Sequence, residues 1–258
     1  MWTNKLVIGY LYNKNLNLYG DNGNVEILTA RATLRGIDVE VRELDLDTKI
    51  SAGVVSDVNL LFMGGGPDSA QKEVYEDLLR NKKSFIQDYI ENEGVGLFVC
   101  GSYQLLGKYY KASDGTVLEG LNIFNIYTEH FGNKKPRCIG NCVARLSNKI
   151  LNDKIFISVN KVGRDIVGFE NHGGRTYIDN PDNLLAKIIV GHGNNSEDST
   201  EGYLYKNSLG TYFHGPVLAR NPHLADFLIA KSLLLEGLSP LDDFLDIAAH
   251  TASRKLKQ

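Results

Sequence analysis

Up to Tyr110 the chain alternates short apolar runs with stretches of helical spacing, and this alternation limits its possible folds more than any other feature. Lys5–Tyr12 is a mostly apolar run. Val25–Gly36 places Val25, Leu28 and Leu34 at helical intervals, and Gly36 is well placed to end the helix. Ile37–Leu44 alternates apolar and charged side chains, as an outer strand does. Val58–Met63 is an apolar strand that runs into Gly64-Gly65-Gly66-Pro67. Ser69–Glu93 has helical spacing with many charges, Val95–Val99 reads as a buried strand, and Tyr103–Tyr110 reads as a helix. Strands and helices in this rhythm predict a three-layer α/β fold, a mostly parallel sheet with helices on both faces.

From Leu121 onward the pattern becomes β-rich. Strand-like stretches fall at Leu121–Tyr127, Cys138–Leu146, Ile155–Val159, Ile166–Phe169, Leu185–Val190, Gly202–Tyr205 and Gly210–Phe213. Helical patterns return at Pro222–Leu235 and Pro240–Ser253. These strands are expected to extend the sheet in antiparallel fashion. The segment from Gly191 to Thr200, rich in Gly, Asn and Ser, reads as an exposed loop. With no linker-like or repetitive stretch in view, residues 1–258 read as a single domain.

Composition narrows the function. Lysine plus arginine number 28 against 31 acidic residues, a net charge of −3, which is no footprint for nucleic acid or anionic lipid. No apolar run approaches the roughly 20 residues of a membrane-spanning helix. The start of the chain reads as a strand, not a signal peptide. Three cysteines without framework spacing suit a reducing, cytoplasmic setting. Cys138 and Cys142 lie four apart in a predicted strand, on one face, and read as core packing. Gly101 to Tyr109 looks at first like a phosphate loop. It has five residues between its glycines where the motif needs four, and Tyr109 stands where a magnesium-binding hydroxyl belongs. No ATP or dinucleotide site is therefore expected in this chain.

The chemistry concentrates in three places. At Cys100-Gly101 an apolar strand turns at once into a helix. A nucleophile on such a turn stands exposed above the sheet, and the helix N-terminus favours the reactive thiolate. A buried free cysteine ending a strand is the plainer alternative. At Gly64-Gly65-Gly66 a second strand ends in a loop whose N–H groups can approach a reacting carbonyl. Gly65 or Gly66, together with Gly101, is a candidate oxyanion hole, each donor of which is typically worth ~3 kcal/mol. At His214-Gly215-Pro216 a short β-like segment delivers a histidine near the end of the chain. Histidine is the usual base for a cysteine nucleophile.

The order Gly64–Gly66, Cys100-Gly101, Gln104, His214 resembles the class I glutamine amidotransferases. Val167-Gly168-Phe169-Glu170-Asn171-His172-Gly173-Gly174-Arg175-Thr176 is similar to a segment of the cobyric-acid-synthase-like branch. With Leu18-Tyr19-Gly20-Asp21-Asn22-Gly23-Asn24, it further resembles the glutaminase subunits of lipid II isoglutaminyl synthases. The resemblance implies hydrolysis of L-glutamine by Cys100 and His214, with Arg175, Gln104 and Asn171 binding the substrate. It implies a heterodimer with a Mur-ligase-like partner that holds ATP and magnesium and amidates the D-glutamate of the lipid II stem peptide. The alternatives are the glutaminase of another cofactor-amidating synthetase and a non-catalytic binding subunit. One departure stands out. The larger family has His-x-Glu, and here His214 is followed by Gly215-Pro216. The acid that orients His214 is then expected elsewhere in the chain or on the partner subunit, and the partner is the favoured source.

Overall fold

The computed structural model describes residues 5–17 and 20–256. Its strands are β1 (Lys5–Leu11), β2 (Asp38–Leu44), β3 (Leu60–Met63), β4 (Val95–Val99), β5 (Tyr109–Lys111), β6 (Val117–Glu119), β7 (Ile126–His130), β8 (Cys138–Leu146), β9 (Asp165–His172), β10 (Gly174–Ile178), β11 (Leu184–Val190), β12 (Thr200–Tyr205) and β13 (Ser208–Thr211). The α-helices are α1 (Asn22–Thr33), α2 (Ala52–Val55), α3 (Asp68–Asp77), α4 (Lys83–Glu91), α5 (Gly101–Leu105), α6 (Asn148–Leu151), α7 (Lys154–Val159), α8 (Pro222–Ser232) and α9 (Phe244–Arg254).

Among the described residues nine strands form one sheet, in the order β2-β1-β3-β4-β13-β12-β11-β8-β9. The run from β2 to β13 is parallel. Beyond β13 every neighbour is antiparallel. Strands β3 and β4 are buried at every position, as strands covered on both faces must be. Helix α8 is apolar almost all round and is buried except at Lys231. It packs on β3, β4 and α1. Arg31 of α1 reaches across to Asp226 of α8 at 2.7 Å and to Asp243 at 2.8 Å. All three side chains are under a tenth exposed. Removing one partner of such a buried pair typically costs ~3–5 kcal/mol. The network docks the last turn of α1 on α8.

The sheet differs from expectation in one respect that matters for the site. Not all the added strands join it. A separate four-stranded sheet, β10-β7-β5-β6, stands beside the first. Its inward residues, Tyr110, Thr128 and Thr176, are buried. The Thr128 and Thr176 hydroxyls bond each other at 2.6 Å, and Thr176 bonds Tyr212 at 2.6 Å. Side-chain pattern alone does not say which sheet a strand joins, because either choice buries one face.

Three local expectations also change. Ile155–Val159 is helix α7, not a strand. The Asp153 carboxylate accepts the N–H groups of Ile155 and Phe156 and caps it. Ser69–Glu93 is not one uniform helix, because a π-turn at Leu78–Lys82 separates α3 from α4. The Gly191–Thr200 segment is not an exposed loop throughout. Asn194 and Asn195 are buried, with Asn194 accepting the N–H of Gly202 and Asn195 donating to the carbonyl of Thr176. Cys138 and Cys142 are buried as expected, and burial pushes the Cys138 thiol up to about 11.

Candidate active site

Cys100 follows directly on β4 with φ 52° and ψ −105°. A non-glycine residue in such a conformation costs ~1–3 kcal/mol and is held only by its surroundings. Here the Cys100 N–H donates to Thr211 O at 2.8 Å, and its carbonyl accepts the N–H of Gln104 at 3.0 Å. The Ser102 hydroxyl donates to Met63 O at 2.7 Å, tying the turn to the end of β3. The strand-to-helix elbow expected from the sequence is thus present. The helix that follows is short and stops at Leu105, and the chain leaves as β5.

His214 lies three residues beyond β13, the strand paired with β4. Its backbone is fastened to Phe169 by two hydrogen bonds, N–H to O at 2.8 Å and the reverse at 3.2 Å. The ring is buried and stands beside Cys100, both of them against the Gly65 backbone. On its other side Nδ1 donates to Asp21 Oδ1 at 3.0 Å. Asp21 is fully buried, and its second oxygen accepts the N–H of Gly65 at 2.9 Å. The acid that orients His214 therefore belongs to this chain, and the partner-supplied carboxylate favoured from the sequence is not needed. Asp21 lies within the Leu18–Asn24 motif, of which Leu18 and Tyr19 fall outside the described residues. The motif's resemblance to the glutaminase subunits gives its acid no role, and the structure does. Gly23 packs so closely on Pro216 that a Cβ would meet its ring at 2.4 Å, so the motif and the His214-Gly215-Pro216 turn are built against each other.

The charges are mutually supporting. Burial by itself lowers the His214 pKa and is the largest single effect. Interaction with Cys100 and with the Asp21 carboxylate outweighs it and pushes it up to about 10. A protonated imidazole beside the Asp21 carboxylate is the state that this geometry favours. His172 is the contrasting case. It is buried, donates from Nδ1 to Gly174 O at 2.8 Å, and stacks on Tyr212 with centroids 3.7 Å apart. Burial lowers its pKa and keeps it neutral. Glu170 accepts the N–H groups of His192 and Gly193. The Phe169–Arg175 motif thus braces the His214 backbone and one wall of the site.

A cavity of about 260 Å3 opens on Cys100, with Gly66, Asp68, Gln104, Arg137 and Asn171 in its wall. Three expected assignments change on geometric grounds. Arg175 does not line it. The guanidinium is buried and donates to Pro136 O at 2.5 Å and to Gly173 O at 3.3 Å, so it braces backbone. The arginine in the wall is Arg137, held by Asn171 through Nε to Oδ1 at 3.0 Å and Nη2 to the carbonyl at 2.9 Å. The sequence signal for it was weak, a basic residue just before β8. Gly65 is not an available oxyanion donor, since Asp21 takes its N–H. A Cβ there would also meet Cys100 Cβ at 2.9 Å and His214 Cε1 at 3.2 Å, so its glycine keeps the reacting groups together. Among the described residues no acceptor takes the N–H of Gly66 or Gly101. Gln104 does reach the wall, but its amide is engaged on both sides, accepting from Gln71 at 3.1 Å and donating to Tyr212 at 3.0 Å.

A buried Cys–His–Asp line beside two unclaimed backbone amides is a set of groups for acyl transfer through a covalent thioester. The family model for the CobB/CobQ-like glutamine amidotransferase domain matches residues 7–222, and the chain belongs to that family. Within it, the chain is 39% identical over 234 residues to the lipid II isoglutaminyl synthase (glutamine-hydrolyzing) subunit GatD of Staphylococcus aureus strain N315, covering 91% of this chain and 87% of that protein. It is 37% identical to the subunit of the same name from Streptococcus pneumoniae, covering 89% and 81%. In fold it is similar to a chain of PurLQS from Thermotoga maritima, with TM-score 0.55 at 15% identity, covering 96% of this chain and 99% of that one. Among the described residues no helix is long and apolar enough to cross a membrane.

Proposed function

We propose that this chain is the glutaminase subunit of a lipid II isoglutaminyl synthase. The Cys100 thiolate attacks the side-chain carbonyl of L-glutamine, and the carbonyl electrons move onto oxygen. The amides of Gly66 and Gly101 receive that oxyanion. Protonated His214 gives its proton to the leaving nitrogen as the C–N bond breaks, releasing ammonia and leaving a thioester. His214, now neutral and held in one tautomer by Asp21, takes a proton from water. The water oxygen adds to the thioester, and Cys100 leaves as L-glutamate forms. Arg137 is the group placed to pair with the substrate's α-carboxylate, with Asn171 holding its guanidinium.

The observation that carries this reading is the Asp21–His214 hydrogen bond beside Cys100, all within one chain, with Cys100 in the cavity wall. The two GatD relatives support the assignment to a lipid II isoglutaminyl synthase. The ammonia passes to an ATP- and magnesium-dependent, Mur-ligase-like partner in a cytoplasmic heterodimer. That partner amidates the D-glutamate carboxyl of the lipid II stem peptide. The test is reconstitution with the purified ligase subunit, lipid II, ATP and glutamine, with stem-peptide amidation read by mass spectrometry. Amidation must depend on glutamine and be lost with Cys100→Ala. A Cys100→Ala complex that still amidates from glutamine would refute the assignment. One that amidates only from added ammonia would support it.

A further inference from the structure

The cavity wall carries an acid that the reaction above does not use. Asp68 begins α3, immediately after Gly66-Pro67. An acid in the first turn of a helix is favourable wherever its side chain points. This one points somewhere specific. The hydroxyl of Tyr110, itself 2% exposed on β5, donates to Asp68 Oδ1 at 2.7 Å. Tyr110 belongs to the small sheet and Asp68 to the large sheet's helical layer, so the bond fixes the carboxylate between two separate elements. Among the described residues no donor reaches Oδ2. Asp68 shares the cavity wall with Arg137 and Cys100. His130, in the same wall, feels both charges, raised by Asp68 and lowered by Arg137 although burial dominates.

A cavity with one oriented carboxylate and one oriented guanidinium matches a small zwitterion. L-glutamine carries an α-carboxylate for Arg137 and an α-ammonium that needs an anion. We propose that Asp68 binds the α-ammonium of the substrate, with Tyr110 as its positioning residue, so that the site selects a free α-amino acid amide over amides lacking that charge. This rests on the glutaminase reading and adds a specificity-determining residue to it. An amide lacking the ammonium would leave Oδ2 of Asp68 without a donor in a confined site, which is costly. Arg137 alone does not supply that discrimination, because any carboxylate satisfies it.

The test compares L-glutamine with glutaramate, the same molecule without the α-amino group, using ammonia release by the full chain. The wild type is expected to prefer glutamine by roughly ten- to a hundred-fold in kcat/KM, the range for one charge-assisted contact. Asp68→Asn should raise KM for glutamine by about that factor with kcat little changed, and leave glutaramate unaffected, so that the preference collapses. Tyr110→Phe should raise KM for glutamine by less. Equal losses on both substrates in Asp68→Asn would mean a structural role and overturn the inference. So would a wild type that does not discriminate, a measurement that needs no variant to fold. Labelling of wild-type Cys100 by 6-diazo-5-oxo-L-norleucine is measured alongside. If Cys100 is neither labelled nor able to release ammonia from glutamine, the glutaminase reading fails and this inference with it. Labelling with an unchanged KM in Asp68→Asn overturns the inference alone.

Discussion

Replacing Asp21 with asparagine tests the site where structure and sequence diverged. Asparagine keeps the size of the side chain and removes its charge. His214 then loses the carboxylate that accepts from Nδ1 at 3.0 Å, and the Gly65 N–H loses an ionised acceptor at 2.9 Å. Both Asp21 contributions to the His214 pKa act upward, against burial. Their loss moves it down from about 10, so less of His214 stays protonated at neutral pH. The asparagine amide can also turn its NH2 toward Nδ1 and stabilise the wrong tautomer. Positioned proton transfer is typically worth about 10²- to 10⁴-fold, equal to roughly 3–5 kcal/mol of barrier. The kcat of Asp21→Asn for glutamine hydrolysis should fall by that factor, with KM within a few-fold of wild type. The assay is ammonia release coupled to glutamate dehydrogenase, with circular dichroism to show that the variant is folded. It is run with and without the ligase subunit. A variant within about three-fold of wild-type kcat in both conditions would show that His214 is not oriented by Asp21. A loss that the partner fully repairs would restore the split-site arrangement.

Further outcomes follow from the same geometry. Cys100→Ala should abolish hydrolysis while leaving the fold intact, and should lower the His214 pKa, because the Cys100 charge is the largest of the effects that raise it; NMR titration of the imidazole checks this. Gly65→Ala should cost at least about a hundred-fold in kcat, since its Cβ would stand 2.9 Å from Cys100 Cβ and 3.2 Å from His214 Cε1; a near-normal rate would mean that the loop yields freely. Arg137→Ala should raise KM for glutamine, whereas Arg175→Ala should lower Tm with little change in KM, the opposite of the sequence-based expectation; equal KM effects would return Arg175 to the binding site. Glu201 is fully buried and burial pushes its carboxyl up to about 8, its bonds to Thr211 and Tyr212 opposing this. Because the folded pKa exceeds the unfolded one, this group costs stability progressively as pH rises from about 4.5 to about 8. Glu201→Gln should therefore gain Tm relative to wild type across that window, and parallel Tm–pH curves would contradict the assignment.

Much of the frame was legible because it depends on short-range pattern. Apolar runs buried on both faces marked β3 and β4, and β4 followed by Cys100-Gly101 marked the elbow before any geometry was known. The histidine was found because a short β-like segment delivers it near Cys100 in the expected order. What tertiary structure decided was which groups face each other. Asp21 and His214 are 193 residues apart, and only the docking of α1 against α8 and the His214-Gly215-Pro216 turn brings them to 3.0 Å. Arg137 and Arg175 lie in the same β-rich region, and composition cannot tell a guanidinium that braces carbonyls from one that lines a cavity. That choice depends on a second sheet whose existence strand periodicity does not reveal. Residue type and spacing along the chain set the chemistry available to this protein, while the long-range packing of α1, β10 and β13 selected which acid and which arginine stand beside it.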